Sequence, residues 1–89
     1  MAEADIAEAG LAQAVARFPQ AASALRRLAL TDPAFREVCE EYALANQSLA
    51  GFEARLDAAE RSEIGDYRTV IAELEREIDR FLREGVPER

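Results

Sequence analysis

The stretch DPAFREVCEEYALANQSLAGFEARLDAAE, Asp32 to Glu60, decides the fold, because it reads as one long amphipathic helix. Asp32 suits the N-cap, where its carboxylate can accept a hydrogen bond from an otherwise unpaired N–H of the first turn. Pro33 follows at the first helical position, where its missing N–H costs nothing and its fixed φ fits the helix. Apolar or aromatic residues then fall at Phe35, Val38, Tyr42, Ala45, Leu49, Phe52, Leu56 and Ala59. From Val38 the steps alternate four and three, the spacing of a helix-on-helix seam rather than of a strand. Cys39 widens this stripe near its start. Gly51 is its weak point, costing roughly 1 kcal/mol relative to Ala. A helix over 33–60 would be about 42 Å long at ~1.5 Å per residue, and this predicts a projecting spine.

Toward the C-terminus, residues 61–65 read as the next break: Ser62 and Gly65 suit a turn, and the seam loses phase there. The heptad rhythm resumes at Tyr67, Ile71, Leu74, Ile78 and Phe81, widened by Val70 and Leu82. Asp66 is placed to cap this second helix, predicted over 66–84, with Gly85 and Pro87 ending it. A short connection makes the two helices antiparallel. Reversal at 61–65 would set Leu56 near Ile71, Phe52 near Leu74, Leu49 near Ile78 and Ala45 near Phe81. The second helix would then leave Phe35, Val38, Cys39 and Tyr42 uncovered.

Toward the N-terminus, Pro19 opens a short helix predicted over 19–30. Ala21, Leu25, Leu28 and Ala29 share one side of it, with Arg26 and Arg27 facing outward. This helix is positioned to cover the early spine. Phe18-Pro19 breaks whatever precedes it, since the residue before proline is pushed out of the α region. Within 1–17, Leu11, Ala14 and Val15 make a helical stripe with Phe18, interrupted by Gly10. Two alternatives stay open for this segment, an ordered helix and a frayed arm. The expectation is an all-α chain: an N-terminal extension (1–17), an antiparallel helical hairpin domain (18–84) and a tail (85–89).

Composition narrows the function classes. Eighty-nine residues suggest one small domain. The net charge of −7 argues against nucleic acid or an anionic membrane as the main partner, since both require a basic face. All eleven basic residues are Arg, a bias that suggests a GC-rich bacterial genome. The single cysteine cannot form an internal disulfide. Glu3, Asp5 and Glu8 occupy the place of a basic leader region, so no secretory signal is expected. No apolar run of about 18 residues is present to span a membrane. A cytoplasmic protein is the expectation.

The corner Leu25, Leu28, Asp32, Pro33, Phe35 resembles the start of the YdcH-like family of small bacterial helical-hairpin proteins. In that family a short helix with a late Leu leads to an Asn-Pro or Asp-Pro corner and then Phe. Val38, Cys39, Tyr42 and Leu49 are similar to the apolar pair, aromatic position and hairpin that follow, and Tyr67 to Leu82 resembles its second helix in spacing. The likeness covers roughly residues 18–83. It implies a fold and no catalytic residues. This chain departs in its extra N-terminal segment and in Glu73, Glu75, Glu77 and Asp79, where the family's second helix is rich in Lys.

Candidate chemistry is sparse. Glu37 and Glu41, and likewise Glu53 and Asp57, share a helix face, but a carboxylate metal site in a bundle normally adds inward-pointing histidines and the chain has none. These acids read as a solvated face flanking the seam. Cys39 has Glu37, Glu40 and Glu41 for neighbours and no basic group to lower its pKa, so it reads as a packed core or interface residue. Tyr42 and Tyr67 fall on seam positions. Arg26-Arg27 reads as an exposed pair able to meet acids. Phosphate loops, nucleophile triads and CxxC pairs are absent.

The expectation is a non-enzymatic interaction module without cofactor or metal, which self-associates as a dimer and binds a protein partner. The surface expected to carry this is Leu25, Leu28, Phe35, Val38, Cys39 and Tyr42, with Leu49, Phe52, Val70, Leu74, Ile78 and Leu82 along the hairpin. Val70, Leu82, Cys39 and Phe35 form the extra contact that one hairpin cannot bury. A second expectation is an accessory subunit docking through the Leu11–Phe18 stripe, and a third is a carboxylate metal or redox protein.

Overall fold

The structure, a computed structural model, describes residues 5–55 and 61–85. Four α-helices follow one another: α1 (Ile6–Arg17), α2 (Ala22–Thr31), α3 (Pro33–Arg55) and α4 (Arg61–Gly85). A 3-10 turn, Pro19–Ala21, joins α1 to α2. Among the described residues there is no strand, and no described helix is long and apolar enough to cross a membrane.

The Asp32 corner is built as its residues dictate. Asp32 Oδ1 accepts the N–H of Ala34 at 3.0 Å and of Phe35 at 3.4 Å. The Asp32 carbonyl accepts the Arg36 N–H at 3.2 Å, which begins the α3 ladder. Arg36 reaches back from the first turn of α3 and donates Nη1 to the Ala29 carbonyl at 2.6 Å. It thereby satisfies an acceptor that the end of α2 leaves open. A side-chain cap of the Asp32 kind contributes about 1 kcal/mol.

Of the N-terminal segment, residues 1–4 lie outside the described residues, and residues 6–17 form a helix packed on the core. Gly10 does not interrupt it. Gly10 is buried where α1 crosses α3, and a Cβ added to it would lie 1.8 Å from the carbonyl oxygen of Cys39. Three residues on, Gln13 accepts a hydrogen bond from Asn46 Nδ2 at 2.9 Å. The positions rise together, so α1 runs along α3 in the same sense. The short helix brings Leu25 and Leu28 to the early spine, as its sequence led one to expect, and α1 lies over the same region as well.

The break expected at 61–65 is also corrected. Residues 61–65 are helical, Ser62 and Gly65 lie inside α4, and Asp66 is no cap. Residues 56–60, with Leu56, Asp57 and Ala59, lie outside the described residues. Pro87 lies outside them as well. Gly65 is tolerated because one glycine costs only ~1 kcal/mol in a helix that otherwise keeps its hydrogen bonds.

Against the expected register, the pairing of α3 with α4 slides by seven to ten residues. Phe52 stacks on Tyr67, with ring centroids 5.4 Å apart, and not on Leu74, a shift of one heptad. Phe81 meets Phe35 edge-on at 5.4 Å, where Ala45 was the expected partner. Tyr42 lies opposite Glu75, and Glu53 opposite Arg68. Across these pairs, positions in α4 fall as those in α3 rise. Contrary to expectation, α4 does reach the start of α3.

All four helices supply the core. Ala14, Leu25, Phe35, Cys39 and Ile78 are fully buried, with Leu28, Val38, Tyr42, Ala45 and Leu74 nearly so. Past Ala45 on α3 and before Leu74 on α4, no described residue is buried. The molecule measures 50 × 31 × 20 Å, with a four-helix end and a projecting two-helix end.

Candidate interaction surfaces

Eight of the expected interface residues belong to the chain's own core: Leu25, Leu28, Phe35, Val38, Cys39, Tyr42, Leu74 and Ile78. They are buried without a partner, so the assignment of Phe35 and Cys39 to an extra contact surface is corrected. The cause is the added cover of α1 and the shifted register of α4. Leu49, Phe52 and Leu82 are half-buried, and Val70 stays 42% exposed. Much of the Leu11–Phe18 stripe is taken up within the chain as well. Ala14 is fully buried, and Leu11, Val15 and Phe18 pack against the core.

A polar clasp that heptad reasoning missed ties three helices together. Tyr42 on α3 donates its hydroxyl to Glu75 Oε2 on α4 at 2.8 Å. The other Glu75 oxygen lies 3.3 Å from Arg17 Nε at the end of α1. Arg17 also sits over the Phe18 ring, 4.8 Å from its centroid. Burial raises the Tyr42 phenol pKa well above its ordinary value, and the hydrogen bond and charge of Glu75 raise it further. Asn46 and Arg17 pull it partly back. This hydroxyl therefore stays a neutral donor, a structural role rather than that of a phenolate base.

Cys39 is fully buried, and loss of solvation, aided by the nearby Glu40 carboxylate, pushes its thiol up to about 11. A thiolate nucleophile needs the opposite environment. Glu37 and Glu41 are exposed on α3, while Glu53 pairs with Arg68 at 2.7 Å across α3 and α4. Among the described residues, no three His, Cys, Asp or Glu side chains converge on a common point.

Among the described residues, apolar surface remains outside at three large side chains: Leu30 at 81% exposure, Leu44 at 51% and Val70. Leu30 stands at the rim of a cleft of about 360 Å³ between α1 and the end of α2. Ala7, Leu11 and Ala29 line it, with Asp5 and Glu8 on one side and Arg26 and Arg36 on the other. Arg36 is engaged at the Ala29 carbonyl. Comparison with family models, with curated proteins and with solved structures returned no match.

Proposed function

We propose that the chain is a non-enzymatic α-helical protein–protein interaction module of the cytoplasm that self-associates, with a dimer as the working unit. Its scaffold in this reading is the antiparallel hairpin of α3 and α4, braced by α1 and α2. The resemblance of the Leu25–Phe35 corner to YdcH-like hairpin proteins supports the same scaffold. The observation that carries the proposal is surplus apolar surface. Among the described residues, Val70 on α4, Leu44 on α3 and Leu30 at the end of α2 stay exposed after the four helices have packed. A small domain gains from burying such surface against another chain, because its own core supplies little stability to spare. Sedimentation and light scattering from about micromolar to about millimolar concentration test this. A dimer whose melting temperature rises with concentration is expected. A strict monomer with a cooperative, concentration-independent melt refutes the proposal.

A further inference from the structure

Resting on that self-associating reading, we infer that the α1/α2 cleft is the contact surface and that it receives Leu30 of a second copy across a two-fold axis. A two-fold interface uses one patch on both subunits, so the patch must contain both halves of every contact. This one does. The wall of Ala7, Leu11 and Ala29 is a socket, and Leu30 on its rim is a knob left 81% exposed. The charges are equally self-complementary. Asp5 and Glu8 stand on the α1 side and Arg26 on the α2 side, and none of their side chains pairs with another described residue. A two-fold rotation sets each Arg26 toward the other copy's acids while each Leu30 enters the other copy's socket. The competing surface at the two-helix end lacks this property, because its Glu53 and Arg68 already neutralise each other within one chain.

Charge reversal tests the assignment on the full chain by sedimentation equilibrium. Leu30→Glu is expected to weaken the dimer about a hundred-fold, since it removes a buried leucine from each of two symmetric sockets. Its exposed position should leave the circular dichroism spectrum of the monomer unchanged. Arg26→Glu alone, and Asp5→Arg with Glu8→Arg, should each weaken the dimer about ten-fold. Combining the three should restore the affinity to near the starting value, as pairing between copies requires. Val70→Glu, at the two-helix end, should leave the dimer intact. If Val70→Glu dissociates the dimer and Leu30→Glu does not, this surface is wrong while self-association stands. Failure of the combined variant to recover affinity also overturns it. A monomeric unmodified chain removes both this surface and the reading beneath it.

Discussion

Gly10→Ala should unfold the molecule more easily even though alanine is the better helix former. An alanine Cβ at this position would lie 1.8 Å from the Cys39 carbonyl oxygen, 2.5 Å from its carbon and 3.0 Å from its Cα. These are backbone atoms of another helix, so no side-chain rotation relieves the overlap. Restoring a 3.4 Å contact to the oxygen requires about 1.6 Å of retreat (3.4 minus 1.8). That retreat draws Ala14 out of the core together with Leu11 and Val15. Forced overpacking of this kind costs about 1–3 kcal/mol. The helix-propensity gain of alanine over glycine offsets at most ~1 kcal/mol. Because the clash is with backbone and also strips core contacts, we expect a net loss of about 2 kcal/mol, or roughly 10 °C in Tm for a domain of this size. Gly51→Ala supplies the control, since no atom lies within 4 Å of its added Cβ. It should gain up to about 1 kcal/mol from propensity alone. Thermal and urea melts followed by helical circular dichroism measure both variants. If Gly10→Ala is as stable as Gly51→Ala, then α1 does not pack against Cys39 and the four-helix core is wrong.

Three further outcomes follow from the buried polar groups. Tyr42→Phe should cost about 1 kcal/mol in urea melts, below the ~1.5–3 expected for a hydrogen bond to a charged acceptor, because Glu75 keeps Arg17 and some solvent. A loss under about 0.3 kcal/mol would show that the Tyr42–Glu75 bond does not hold α3 to α4. Cys39 should resist a thiol reagent in the folded chain and react only at the rate of opening. Its thiol pKa is raised from 9.0 to about 11 on folding, so the folded state holds its proton longer than the unfolded chain does. The stabilising contribution is therefore complete below pH 9 and fades as pH rises through about 11. Cys39→Ala should flatten the loss of stability across that window, and an unchanged slope would refute the assignment.

Local chemistry was the legible part of the fold. The Asp32-Pro33 corner was readable because cap and proline act within four residues of themselves, and the structure carries the predicted hydrogen bonds to Ala34 and Phe35. The stripes through Val38, Tyr42, Leu74 and Ile78 were readable because periodicity reports which face is buried. It does not report what covers that face. Gly10 looked like an interruption since a glycine in a weak helix ordinarily lowers stability, and only the nearness of the Cys39 backbone turns it into the point of closest packing. The Arg17–Glu75–Tyr42 clasp joins residues up to 58 positions apart (75 minus 17), and no spacing rule reaches so far. Its only local signal is that polar residues beside a seam occupy the flanking positions where helices exchange charges.

The misplaced reversal shows how one local signal propagates. Ser62 and Gly65 are ordinary turn residues, yet Ile64 lies three positions before Tyr67 and keeps the stripe in phase through Ile71 and Leu74. That phase continues helically through Gly65 and outweighs its ~1 kcal/mol penalty. Starting α4 at Arg61 carries Phe81 to Phe35 and so closes the core at the far end. Phe35 and Cys39 are thereby consumed within the chain, although the later reversal would have left them free to meet a partner. Among the described residues, the large apolar side chains that stay outside are Val70 on α4, Leu44 on α3 and Leu30 at the end of α2. Leu30 is off the predicted apolar side of its own helix, and only the placement of α1 beside it makes a socket of that neighbourhood.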